Sequence, residues 1–249
     1  MQVSVDGFLG GQLRLAQPKI GYRAGIDPVL LAAACPAQRG QEVLELGCGV
    51  GVASLCLWRR VPGLALHGVE ILHDYAQMAR ENAARNGLEF DVRQGDVSVR
   101  PTPFSDRSFD HVIMNPPYFA ADASSISPEA GRASGRSEQV ALSHWVKMAA
   151  KRLRPKGYLT AIQRAERLPD LLMALEGRLG SIVVQPLAPR AGRPAHLILL
   201  QARKSGRAAF QLLSAQNLHS GAEHVQGHPD YAPEVSAILR DGAAFSWRG

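Results

Sequence analysis

Glu42-Val43-Leu44-Glu45-Leu46-Gly47-Cys48-Gly49-Val50-Gly51 reads as a buried strand running straight into a tight glycine turn, and Val52 to Arg60 follows with helical character. A glycine turn between a strand and its helix has a chemical meaning in an open parallel sheet. Ligands bind beyond the carboxyl ends of the strands there, and residues without a Cβ let them touch the backbone. Leu64 to Glu70 repeats the strand, so Glu70 closes it nineteen positions after Gly51. A carboxylate at that point can accept hydrogen bonds from both hydroxyls of a ribose. The turn and the acid together point to a nucleoside-containing cofactor.

The same alternation extends outward. Asp27-Pro28 has the form of a helix start, an Asp cap followed by a Pro with helical φ, and the helix continues through Val29 to Cys35. After Glu70 the pattern predicts a helix over Leu72 to Asn86, ending before Gly87, and strands over Glu89 to Gln94 and Phe109 to Met114. A Ser- and Ala-rich loop reaches about Ser137. A helix follows from Glu138 to Leu153, a turn at Arg154-Pro155-Lys156-Gly157, a strand from Tyr158 to Gln163, and a helix from Leu168 to Leu179. Ser181 to Leu187 and Ala195 to Ala202 are read as an antiparallel pair. The outcome is an α/β fold: a mostly parallel seven-stranded sheet with a terminal antiparallel hairpin and helices on both faces. Residues 1–40 form an amino-terminal arm and covering helix, 41–210 the main domain, and 211–249 an extension of unassigned role in which Pro233 to Arg240 is a short helix.

The 249-residue chain is 46% hydrophobic and 20% charged, which excludes a disordered or fibrous protein. Its three cysteines, Cys35, Cys48 and Cys56, have no CxxC spacing, so neither a disulfide framework nor a cysteine-based metal site is expected. His219, His224 and His228 read as surface residues, and no metal is assigned. Without a membrane-length apolar run or a secretion signal, a cytoplasmic protein with no membrane partner is expected. The net charge of +6 suits a polyanion. Basic residues concentrate between Gly131 and Lys156, where only Glu138 opposes them, and between Pro186 and Arg207, where there is no acid.

Asn115-Pro116-Pro117-Tyr118 stands at the end of the fourth strand of the main domain. Proline bars the α conformation before it and removes backbone donors, leaving Asn115 extended and carbonyl acceptors available. Such a pocket suits an N–H₂ group. An exocyclic amine or amide nitrogen is a poor nucleophile because its lone pair is delocalised. Hydrogen bonds to the Asn115 side-chain oxygen and the Pro116 carbonyl direct that lone pair, while the Tyr118 ring offers a face for stacking a planar group.

The acid-led turn, with Gly47, Gly49 and Gly51 in place of Gly-x-Gly-x-x-Gly, resembles the class I S-adenosylmethionine-dependent methyltransferases. That resemblance implies a Rossmann-like fold with S-adenosylmethionine as cofactor. It places Glu45 near the methionine part, the three glycines against the amino acid and ribose, Glu70 on the ribose, and Asp96 of Gly95-Asp96-Val97 at the adenine. Asp27 and Asn115 complete the cofactor set. Asn115, Pro116 and Tyr118 become the catalytic group. The tetrapeptide matches the amino-methyltransferases, which act on adenine N6, cytosine N4 or a glutamine amide. With Phe119 added, and with Gly21-Tyr22-Arg23-Ala24-Gly25-Ile26-Asp27-Pro28-Val29-Leu30-Leu31-Ala32-Ala33, the chain resembles the bacterial tRNA1(Val) adenine-37 N6-methyltransferase family from about Gly7 to Ala202.

This implies an RNA substrate, most simply a tRNA, received on Pro117, Tyr118 and Phe119 and held through phosphate contacts from Arg132, Arg136, Arg190 and Arg193. Three other readings stay open: a protein-glutamine N5-methyltransferase, methylation of another RNA or DNA amino group, and an RNA-binding or scaffold protein on a decayed cofactor fold. The first usually carries a separate amino-terminal helical domain, which the short arm here does not provide.

Overall fold

The computed structural model describes residues 2–99, 101–117, 141–221 and 230–247. The chain opens with an antiparallel hairpin, β1 (Val3–Phe8) and β2 (Leu13–Pro18), where sequence alone offered only an arm. Helix α1 (Asp27–Ala34) follows, then β3 (Glu42–Leu46), α2 (Val52–Arg60), β4 (Ala65–Glu70), α3 (His73–Arg85), β5 (Asp91–Gln94) and β6 (Phe109–Met114). After the undescribed stretch come α4 (Leu142–Arg152), β7 (Leu153–Arg164), α5 (Leu168–Leu175), β8 (Gly180–Ala188), β9 (Leu197–Arg203), the two-residue β10 (Gln211–Leu212) and β11 (Gln216–Asn217), and α6 (Pro233–Asp241).

The main sheet runs β10-β8-β9-β7-β6-β3-β4-β5, with β11 also on β8. The expected seven strands are all present. The count rises to nine because two short segments of the tail pair parallel to β8. Strands β3 to β7 are parallel, and β9 is inserted antiparallel between β7 and β8. The turn read at Arg154 to Gly157 is a bulge inside β7: Leu153 faces Phe109 and Tyr158 faces His111, with Lys156 at φ +69° between them.

Side chains of alternate residues enter two cores. Val43 and Ile113 pack with α1, α2, α3 and α6 on one face, whereas Leu44, Leu46, Val112 and Met114 meet α4 and α5 on the other. The strand order reverses at β3, since the chain proceeds to β4 and β5 on one side and returns to β6 on the other. The crevice beyond the ends of β3 and β6 is therefore the topological switch point, where open α/β sheets bind ligands.

Two remote segments hold α1 beside that crevice. Fully buried Asn82 of α3 accepts from Ala16 N–H at 2.7 Å and donates to the carbonyls of Ala16 and Val50, at 3.0 Å each, fastening the amino-terminal hairpin to the glycine turn. At the other end of α1, the orphan carbonyls of the last turn are satisfied by the tail. Phe245 N–H donates to Ala33 O at 2.9 Å and Trp247 Nε1 to Ala34 O at 3.1 Å. The start of α1 differs from the expected Asp cap: Ile26 takes the cap position, and Asp27 is the first helical residue with Pro28 behind it.

Candidate active site

Glu45 points to the same face as Val43, toward α2, and is 3% exposed. Its Oε2 accepts from Ser54 N–H at 3.0 Å and Ser54 Oγ at 2.6 Å. Burial pushes its carboxyl up to about 8 against the pull of those two bonds, and the charge of Glu70 adds to the rise. Glu70, also buried, is raised for the same first reason. Its two oxygens already accept from Gly49 N–H at 2.8 Å and Leu72 N–H at 2.9 Å. Each oxygen keeps a second lone pair, but Glu70 is not the uncommitted strand-end acid that the sequence suggested. Among the described residues neither carboxylate has an ion-pair partner. Two buried acids thus stand close enough to act on each other with no described cation to offset them, and both carboxyls are raised as a result of burial.

The three turn glycines all have positive φ, at +65°, +54° and +89°, and their surroundings differ. At Gly47 a Cβ would fall 2.6 Å from the Trp145 ring, and at Gly51 3.2 Å from Phe90. At Gly49 no atom lies within 4 Å of that position. Gly47 and Gly51 thus make room for protein, whereas Gly49 borders open space on the crevice side. Cys48 between them is buried, its thiol held protonated by burial and the neighbouring acids, as a packing role requires.

At the end of β6, Asn115 Nδ2 donates to the Tyr22 hydroxyl at 3.5 Å, and Asn115 Oδ1 is buried with no hydrogen-bond partner among the described residues. Such an acceptor is costly to leave unmade unless a ligand completes it. The Pro116 carbonyl, expected to be free, takes a 3.3 Å bond from buried Gln163 Nε2 on β7 and so offers only its second lone pair. Pro117 is partly exposed beside it. Tyr118, Phe119, Arg132 and Arg136 lie outside the described residues.

Tyr22 had no assigned role in the sequence and proves to be part of the site. Over half of its surface is exposed, yet its hydroxyl turns inward. Burial of that hydroxyl, then the carboxylates of Asp27 and Glu45, push it up to about 12, which keeps it neutral. Gly21, at φ +112°, lets the arm cross over the Tyr75 hydroxyl, which donates to Tyr22 O at 3.4 Å. The only earlier signal was the position of Tyr22 five residues before Asp27.

Asp96 follows β5, next to the Glu70 carbonyl that accepts from Gly95 N–H at 2.9 Å. Its Oδ1 receives Ser98 N–H and Ser98 Oγ, each at 2.7 Å. Arg190 departs from its expected role. It is 12% exposed at the side chain, paired with Asp230 and bonded to the Ser220 carbonyl, while Asp230 also receives His219 Nδ1 at 2.7 Å. A guanidinium consumed in fastening the tail is not available to a phosphate. Arg193, three residues on in the same turn, is exposed. Among the described residues no group of metal-ligating side chains is found, and no helix is long and apolar enough to cross a membrane.

The family model described as methyltransferase small domain matches residues 24–183. Over 245 residues the chain is 28% identical to the tRNA1(Val) (adenine(37)-N6)-methyltransferase of Yersinia enterocolitica, covering 94% of this chain and 91% of that protein. It is 31% identical over 175 residues to the Porphyromonas gingivalis protein of the same name, covering 67% of this chain and 68% of that one. Among solved structures, a predicted O-methyltransferase from Agrobacterium tumefaciens superposes with TM-score 0.70 at 24% identity, over 88% of this chain and 98% of that one.

Proposed function

The chain belongs to the methyltransferase small domain family, and from that premise we propose that it transfers a methyl group from S-adenosylmethionine to the exocyclic N6 of an adenine in tRNA, of the anticodon-loop adenine 37 type. The observation that carries the reading is the buried Asn115 Oδ1 at the switch point, without a hydrogen-bond partner among the described residues, an acceptor for an N–H beside acids that can offset a cation. The names of the relatives support the adenine and the tRNA.

The residues present fit the cofactor. Glu45, Glu70 and Asp27 are acids that can offset a cationic ligand, Gly49 leaves room against the backbone, and Asp96, with Oδ1 engaged by Ser98, is assigned to an adenine amino group through Oδ2. Bound there, S-adenosylmethionine supplies an electrophilic methyl group on a sulfonium sulfur and departs as the thioether. The chain's own part is orientation. Asn115 Oδ1 accepts one N6–H, and the remaining lone pair of the Pro116 carbonyl is placed for the other. As the N–C bond forms, N6 becomes acidic and its proton passes to solvent; the acceptors stabilise the developing charge. Tyr22, kept neutral, accepts from Asn115 Nδ2 and holds the amide with Oδ1 facing the substrate.

The test is incubation with labelled S-adenosylmethionine and either total RNA or total protein, followed by digestion. Label in N6-methyladenosine from tRNA supports the reading; label in a glutamine amide overturns it. Removing one hydroxyl with Tyr22→Phe costs a bond of about 1 kcal/mol, hence roughly a fivefold loss of turnover, with cofactor affinity unchanged.

The turn separates by residue. Gly49→Ala costs about 1–2 kcal/mol for the left-handed backbone yet folds, and it loses cofactor affinity because the methyl group enters the crevice. Gly47→Ala meets Trp145 and loses about 1–3 kcal/mol more in thermal unfolding. Equal melting losses and equal cofactor affinities in the two variants are the result that counts against this assignment.

A further inference from the structure

A second concave feature lies beside the cofactor end of the sheet. It is a groove of about 230 Å³ between α4 and the loop that follows β5. One wall carries His144, Lys147 and Lys151, exposed and spaced three and four apart, so that they line one face of α4. The other wall carries the hydroxyls of Ser98, Thr102 and Ser105. The opposite face of α4 is core: Trp145 covers Gly47, and Val146 and Ala149 are fully buried, so the basic row is rigidly referred to the glycine turn.

The loop wall is equally well held. Arg152 Nη1 donates to the carbonyls of Phe104 and Arg107, at 2.6 and 3.1 Å, and Phe104 is 1% exposed beneath the Arg93 guanidinium, 4.0 Å from its ring centroid. Two acids adjoin the loop wall in sequence: Asp96, whose Oδ1 is engaged by Ser98, and Asp106, next to Ser105, whose charge acts on Arg152. Cations on one side, hydroxyls on the other and a fixed concavity between them form a receptor for phosphate oxygens, with low-dielectric walls that concentrate the field. The row from His144 to Lys151 spans roughly 10 Å of helix axis, the reach of successive phosphates of one strand.

We propose that this groove is the docking surface for the sugar–phosphate backbone of the substrate RNA, running past the adenine side of the cofactor site while the target base enters at Asn115. The proposal rests on the RNA reading above. It gives Lys147 and Lys151, the described lysines of α4 within the basic segment, a role in RNA contact, and makes Lys147, which takes no described hydrogen bond or ion pair, the main electrostatic contact.

The test measures binding of an unmodified tRNA transcript to the full chain as a function of salt, for the wild type, Lys147→Glu and Lys147→Arg. Cofactor affinity and melting temperature serve as controls. Lys147→Glu weakens tRNA binding about tenfold and flattens the log–log salt slope by about 1 unit, Lys147→Arg restores both, and cofactor affinity stays unchanged. If the wild type binds tRNA and Lys147→Glu binds it equally well with the same slope, the groove is not the docking surface and the methyltransferase reading stands. If the wild type binds no tRNA but methylates a glutamine amide, the RNA reading itself falls and the groove with it.

Discussion

Asn115→Ala lowers turnover by roughly 10²–10³-fold while cofactor affinity changes little, because the group removed acts on the substrate nitrogen only as charge develops there. The structure gives this expectation a physical basis beyond the motif. Asn115 Oδ1 is buried and, among the described residues, unbonded, so its desolvation has already been met in the folded enzyme when an N–H arrives. Truncation to alanine also releases the Tyr22 hydroxyl, which then loses its described side-chain partner. Single-turnover rates at saturating cofactor and tRNA, with a separate cofactor titration, check the result. A loss confined to cofactor binding makes Asn115 a structural residue and removes it from the chemistry.

Glu45→Gln separates binding from stability in opposite directions. Loss of a charge-assisted contact to the cationic end of the cofactor weakens its affinity by about 1.5–3 kcal/mol, roughly 10- to 150-fold. The folded protein, however, becomes more robust at high pH. In the wild type the folded carboxyl keeps its proton up to about pH 8, whereas the unfolded one releases it near 4.5. Between those values the folded state binds the extra proton, so stability falls as pH rises. Glutamine carries no such proton and can still accept from Ser54. The melting temperature of Glu45→Gln therefore matches the wild type near pH 5 and exceeds it by several degrees at pH 8. Cofactor binding near pH 7 is accompanied by release of a proton from Glu45, visible as a buffer-dependent heat in calorimetry. Parallel melting curves across that range, with no buffer dependence, contradict a buried acid without a neutralising cation.

The legible part of the fold followed local rules. Alternation in Val43-Leu44-Glu45-Leu46 and the glycines behind it placed β3, its turn and α2 correctly, and the same logic found α1, α3 and the strands through β9. The amino-terminal hairpin was missed because Val3 and Val5 stay largely exposed and its anchor is Asn82, 66 residues away from Ala16. The α4–loop groove was invisible for a related reason: the sequence shows the basic residues of α4 but not that Ser98, Thr102 and Ser105 are brought opposite them.

By itself the sequence determined which groups stand at the ends of β3, β4, β5 and β6, because a strand's period of two and a glycine's positive φ are properties of a few adjacent residues. Only the tertiary structure decided which of those groups remain available. Glu70 is met by Gly49 across 21 positions, the Pro116 carbonyl by Gln163 across 47, and Arg190 by Asp230 across 40, while Asn115 Oδ1 is left without a partner among the described residues. A hydrogen-bonding group has a small fixed capacity, and what occupies it depends on donors and acceptors that the chain brings back from far along its length.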